Sequence, residues 1–349
     1  MRAPSHFRWN QPAQPQPGSP GTSRQSNVGP LDKDAARGSR LSALVVGYVL
    51  IAAAAFCWSA SATIGRAVFT GRLFASGTAI SPLVVSQTRT TFSLLVLLVL
   101  VPLVGRKERF RIAPVEAWRC VAIGVLGLAA SNFFYYYAIQ RTSVATAIIV
   151  QYTAPAWVLV YMVTSGKQRA TGLRAIAVLL AVGGCTLAVG LGNAKAIRLD
   201  PLGVLAALGA ALGFSFYNVA GQPLLRRNSE WTVLLYALLG SAVFWALVNP
   251  PWRLIALHHS LPQWGFLFLF AVGSMLIPFS LYLGGLRRLD PTRAVVTSCL
   301  EPVFAIAFAA LFLGESVGWL QVAGVAVVLA ATVAIQIPET PLRSSAQSR

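Results

Sequence analysis

Ten apolar runs of helix length follow one another between about residues 44 and 337, separated by short polar breaks. They fall near 44–66, 81–105, 117–140, 143–165, 170–192, 201–224, 230–249, 262–286, 291–313 and 317–337. Each approaches the ~20 residues that an α-helix needs to cross a bilayer core about 30 Å thick. Alternating segments of about 10 residues, the mark of a membrane β-barrel, are not the pattern here. The chain therefore reads as an all-α polytopic membrane protein with ten transmembrane helices. Residues 1–40 are rich in Pro, Gln, Gly and Ser and offer no apolar face, so a disordered cytoplasmic tail is expected. The first apolar run comes too late and is too long for a signal peptide. Residues 338–349 read as a second short cytoplasmic tail.

The pattern repeats. A shift of 147 residues lays Tyr135 on Tyr282, Ala147 on Ala294, Pro155 on Pro302 and Leu173 on Leu320, without a gap from about 135 to 190. The same shift sets Glu301 against Ala154 and Glu315 against Gln168. The earlier helices match more loosely, with Trp58-Ser59 on Phe214-Ser215 and Gly65 on Gly221. The halves, 41–195 and 196–337, hold five helices each. Five is odd, so the second half lies upside down relative to the first. Two inverted five-helix repeats are a common plan of secondary transporters, with a site near the midplane between the halves and access that alternates by rocking. A duplicated membrane protein without transport is the plainer alternative.

Charge tests the count. The chain is 56% hydrophobic and only 11% charged, against about 25% charged in soluble proteins. Its formal charge of +18 invites a nucleic-acid reading. The distribution argues otherwise. With the N-terminus inside, 21 basic residues fall in the tails and loops of one side and 5 on the other. That bias follows the positive-inside rule and puts both termini in the cytoplasm of a multi-pass plasma-membrane protein. The cysteines, Cys57, Cys120, Cys185 and Cys299, lie in or beside apolar runs without a CxxC pair, so they read as packing residues rather than a disulfide or zinc framework. His6 and the His258-His259 pair have no companion metal ligands nearby. No Walker A sequence occurs, and no cluster reads as an enzyme site. Neither a cofactor nor a metal is expected.

Candidate chemistry centres on Glu301. With span 9 starting near Pro291, it lies about 15 Å deep, close to the midplane. It alone of ten acidic residues sits deep in a span. Pro302 beside it removes a backbone donor and opens the helix locally. Arg293 and Thr297 precede it by eight and four residues, predicting a polar stripe that leads to the carboxylate. A carboxylate at this depth serves either as a proton- or substrate-binding group or as half of a structural ion pair. Arg89, about 12 Å into span 2 among Ser86, Thr90 and Ser93, is its candidate partner and an alternative anion-binding group. Span 6 carries Phe214, Asn218 and Gln222 at four-residue intervals; span 3 carries Asn132, Tyr135 and Tyr136 on one face. Both stripes read either as cavity lining or as interhelical glue. Gln151 and Tyr152 occupy the repeat positions of Ser298 and Cys299 and complete the candidate centre. Arg66 reads as an interfacial anchor.

The residues Gly285-Leu286-Arg287-Arg288-Leu289, then Glu301-Pro302, then Gly314-Glu315 resemble the EamA-like members of the drug/metabolite transporter superfamily. Trp58, Arg66, Arg89 and Pro155 extend the resemblance, which covers about 44–337. The first half departs from it, with Lys167-Gln168 where the family often repeats Gly-Glu. The resemblance implies a secondary transporter of small metabolites, amino acids and related organic solutes among them, with export the expected direction. Its expected partners are a small-molecule substrate and the lipid bilayer; nucleic acid is not one, while proton coupling and a homodimer stay open. The substrate- or proton-binding residues expected are Glu301, Arg89, Asn218, Asn132, Tyr136, Trp58 and Gln151. Rival readings are an integral membrane enzyme, a lipid flippase-like protein, or a non-transporting membrane subunit.

Overall fold

The computed structural model describes residues 30–69, 80–103, 110, 112–142, 144–189, 200–313 and 317–337. The described residues from 42 onward form one compact unit. All ten spans are helical, and no strand occurs among the described residues. Spans 1 to 3 are Pro30–Phe69, Pro82–Leu103 and Pro114–Arg141. Span 4 is broken into Val144–Gln151 and Ala154–Thr164, and span 5 is Gly172–Val189. Spans 6 to 8 are Pro201–Leu225, Glu230–Val248 and Leu261–Leu286, with a short helix, Pro251–Ile255, between the last two. Span 9 is broken into Pro291–Ser298 and Glu301–Leu313, and span 10 is Trp319–Ala334. This is a ten-helix membrane protein built as two inverted repeats. Span 1 is helical from Pro30, so the end of the stretch expected to be a disordered tail is helical instead.

Local chemistry sets the helix starts. Proline opens several spans, where a missing N–H costs nothing. Elsewhere side chains take the orphan donors of the first turn. Asp200 accepts from the Gly203 N–H at 2.8 Å, Asp290 from Arg293 at 3.0 Å, and Ser229 from Thr232 at 3.1 Å.

Between spans, small residues set the packing. Lipid gives helices no hydrophobic drive to associate, so close backbone approach and van der Waals contact carry the interface. Gly124 of span 3 lies against the Ala237 backbone of span 7, and Gly240 of span 7 against the Val121 backbone of span 3. Spans 5 and 10 meet in the same way through Gly184 and Gly324.

Both repeats deform their helices at matching places. π-helical turns occupy Ile123–Ala129 in span 3 and Val272–Leu276 in span 8. The 147-residue shift carries the first onto 270–276, over the second. The breaks match residue for residue: Tyr152-Thr153 in span 4 falls on Cys299-Leu300 in span 9. Pro155 and Pro302 follow them, as the sequence pattern predicts. Each proline takes the donor from the carbonyl four residues earlier, that of Gln151 or Ser298, and no backbone donor replaces it among the described residues.

Candidate functional site

The two breaks are held by crossed hydrogen bonds. Ser59 Oγ of span 1 donates to the Glu301 carbonyl at 2.5 Å and shares its own-helix acceptor, Ala55 O, at 2.9 Å. Ser215 Oγ of span 6 does the equivalent, at 3.2 Å to the Ala154 carbonyl and 2.7 Å to Ala211 O. Ser59 and Ser215 are repeat counterparts, as are Glu301 and Ala154. The first helix of each half thus pins the broken helix of the other half. Such a bond contributes about 0.6 kcal/mol on average in a membrane interior, so these set position more than stability.

Glu301 opens the second half of span 9; the residue is partly exposed as a whole, while its carboxyl group is desolvated beside the opposite break. The Tyr152 hydroxyl, in the opposite break, is its side-chain hydrogen-bond partner. Tyr135 of span 3 and Cys185 of span 5 lie within electrostatic reach of the same carboxylate. The Tyr152 phenol is thus the group that shares a proton with the carboxylate.

Arg89 belongs to the neighbourhood without touching Glu301. No Arg89–Glu301 ion pair occurs among the described residues, although the guanidinium field reaches the carboxylate. Instead Arg89 Nη2 donates to the Ser274 carbonyl at 2.7 Å, and the guanidinium lies 5.7 Å from the Phe270 ring centroid. Pro278 explains the contact. It stands four residues after Ser274, in the π turn of span 8, and cannot give that carbonyl the usual i→i−4 bond. Ser93 Oγ reaches the same turn, donating to Ala271 O at 3.2 Å. The expected ion pair is replaced by a span 2–span 8 tie. Arg89→Leu is expected to cost about 1–3 kcal/mol, the range for stranding a buried acceptor. Arg89→Lys should recover part of it in a thermal unfolding series; equal losses would contradict the tie.

The remaining candidates divide. Trp58, Gln151, Asn132 and Tyr136 are half-buried. The Trp58 ring packs 5.1 Å from Phe279 and 5.3 Å from Tyr282, and Asn132 Nδ2 donates to Leu128 O at 2.7 Å. The Tyr136 ring lies 5.6 Å from that of Tyr135. Asn218 differs. It is fully buried, accepts from the Tyr282 hydroxyl at 2.5 Å and donates to Phe214 O at 2.8 Å. Gln222 likewise donates to Leu289 O at 3.1 Å. The span 6 stripe is interhelical glue. The stripe expected along span 9 is interrupted: Thr297 is buried, bonds back to Arg293 O at 2.7 Å, and is cut off from Glu301 by the break. The Arg66 side chain and Gly314-Glu315 lie outside the described residues.

At the end of the bundle that carries the 4–5 and 8–9 turns, polar side chains join the two halves. Asp290 lies 3.3 Å from Arg293 and 4.0 Å from Arg174 of span 5. Thr292 Oγ1 donates to Gln168 at 2.9 Å. The repeat counterparts of Asp290, Arg293 and Arg174 are Ser143, Thr146 and Gln321, all uncharged. The charges of this network are therefore not repeated at its counterpart positions.

A family model described as the EamA-like transporter family matches residues 45–190 and 201–337. The threonine/homoserine exporter RhtA of Salmonella typhimurium (strain SL1344) is 28% identical over 212 residues, covering 60% of this chain and 68% of its own. An uncharacterized transporter of Bacillus subtilis (strain 168), YcbK, is 24% identical over 218 residues, covering 60% of this chain and 69% of its own. A solved crystal structure at 20% identity superposes with a TM-score of 0.67 over 84% of this chain and 96% of that one. That likeness bears on the fold.

Proposed function

Because the chain belongs to the EamA-like transporter family, we propose that it exports small amino-acid-like solutes by alternating access, with Glu301 carrying a proton or the solute's amine. The observation that carries this reading is the Glu301 carboxylate at the break of span 9, hydrogen-bonded to the Tyr152 hydroxyl at the matched break of span 4. Broken helices supply half-helix ends and free carbonyls at mid-membrane, the recurrent means by which transporters hold ions and polar groups. The amino-acid class and the direction rest on the relatives named as threonine/homoserine exporters. Trp58, Tyr136, Asn132 and Gln151 shape the cavity, while Arg89 and Asn218 hold its walls. The repeats, 41–195 and 196–337, rock against each other, and the Asp290–Arg174 and Thr292–Gln168 contacts close the cytoplasmic mouth.

Counterflow in proteoliposomes tests this. Vesicles loaded with unlabelled threonine or homoserine should accumulate the labelled solute faster than protein-free vesicles. No flux of any small amino acid, with or without a pH gradient, contradicts the proposal. Orientation has its own test, motivated by the 21:5 distribution of basic residues. Reporter fusions at both termini should be active in the cytoplasm and a fusion at His258 outside it. A cytoplasmic His258 reporter overturns the topology.

A further inference from the structure

Two grooves open on the membrane-facing surface, and Glu301 lines neither. The first, about 600 Å³, runs between spans 3 and 6 with Trp157 at its side; Phe133, Phe134, Tyr137 and Leu205 are among its lining. The second, about 540 Å³, is bounded by spans 1, 2 and 8 and the start of span 7, with Leu50, Leu100, Leu281 and Arg288 in its lining. The repeat relates them. Shifting Phe133, Phe134 and Tyr137 by 147 residues gives Ser280, Leu281 and Gly284, which all line the second groove. Arg141, one turn beyond Tyr137, becomes Arg288. The span 1–span 6 correspondence takes Leu50 to Ala206, which lines the first groove. Inversion of the repeats puts the two grooves in opposite leaflets.

Arg141 stands one turn beyond Tyr137 of the first groove, and Arg288 lines the second together with Glu230, whose carboxylate pairs with Arg287 at 2.8 Å. Arg141 is exposed at the end of span 3, donates Nε to the Tyr137 hydroxyl at 3.3 Å and lies 5.7 Å from that ring's centroid. Arg288 is exposed and donates Nη1 to Gly284 O at 2.6 Å. Both stand where a span meets the headgroup layer, with guanidinium donors left over. On span 6 the first groove runs from Leu202 to Leu212, about 15 Å at helical rise and half a bilayer core. A half-bilayer apolar groove ending in an arginine fits one acyl chain with its phosphate on the guanidinium. We infer that these are two phospholipid sites, one in each leaflet, related by the inverted repeat. The first also touches the transport machinery: Trp157 Nε1 donates to Thr153 Oγ1, at the break of span 4, at 3.2 Å.

Native mass spectrometry of the delipidated full chain with added dioleoyl phosphatidylglycerol tests the inference. The wild type should retain two lipids after detergent is stripped. Leu205→Trp fills the first groove and Leu100→Trp the second; both positions face lipid, so the fold should tolerate them. Each variant should retain one lipid, and the double variant none. Leu212→Trp replaces Leu205→Trp if that protein is not monodisperse. Arg141→Gln and Arg288→Gln should each lower retention of phosphatidylglycerol but not of dioleoylglycerol, which lacks the phosphate. Unchanged stoichiometry in both tryptophan variants overturns the sites. Equal retention of dioleoylglycerol and phosphatidylglycerol by the wild type overturns the arginine–phosphate contact.

Discussion

Gly124→Leu is expected to abolish the folded protein. A Cβ at residue 124 would stand 2.0 Å from the Ala237 carbonyl oxygen, and one at residue 240 would stand 2.5 Å from the Val121 carbonyl oxygen. Both obstacles are backbone, so no side chain can swing aside. Overpacking an ordinary core costs about 1–3 kcal/mol; here spans 3 and 7 must separate along their contact, and the loss exceeds that range. Gly124→Ala and Gly240→Ala should already lower the yield of monodisperse protein. Gly183→Ala, with nothing within 4 Å of its Cβ, should not. A Gly124→Leu protein with the wild-type unfolding temperature would contradict the span 3–span 7 packing.

Glu301→Gln is expected to lower gradient-driven transport by about 100-fold or more, equivalent to ~2.7 kcal/mol of transition-state stabilisation, without loss of fold. The amide keeps the shape and a hydrogen bond to Tyr152 but not the charge. If Glu301 carries the proton, solute exchange without a gradient survives the substitution. If it binds an amine, exchange fails as well and binding weakens. A folded Glu301→Gln protein with wild-type gradient-driven transport and exchange excludes both roles. Tyr152→Phe removes only the hydroxyl and should produce a smaller loss in the same assays.

Much of the architecture is legible in the sequence because the bilayer imposes it. Ten apolar runs, an odd number in each half and one-sided basic loops leave few alternatives. The breaks are legible too, since Pro155 and Pro302 mark them and the 147-residue shift pairs them. Side-chain destinations are less so. Asn218 and Asn132 look alike as polar residues inside apolar helices, yet Tyr282 takes up the first and leaves it fully buried. Only the packing of spans 6 and 8 distinguishes the two. Arg89 and Glu301 look like partners by depth, but rise along two helices gives no lateral distance. The signal that assigns Arg89 is present and small: Pro278 withholds the i→i−4 donor from the Ser274 carbonyl to which Arg89 donates. The π turns at Ile123–Ala129 and Val272–Leu276 carry no residue signature comparable to proline. They emerge only once the helices pack.

In the proposed cycle a midplane cavity at the paired breaks opens to each side of the membrane in turn. Gln151 is half-buried there, and its amide has no hydrogen-bond partner among the described residues. Of the native cysteines only Cys57 is not buried, so Cys57→Ser gives a quiet background for Gln151→Cys. A membrane-impermeant maleimide, applied separately to right-side-out and inverted vesicles, should label Gln151→Cys in both. Threonine or homoserine should slow the labelling from either side, while Leu257→Cys at one end of the bundle should label from one side only. Labelling of Gln151→Cys from neither side, or from the same single side whatever solute is present, would contradict the account.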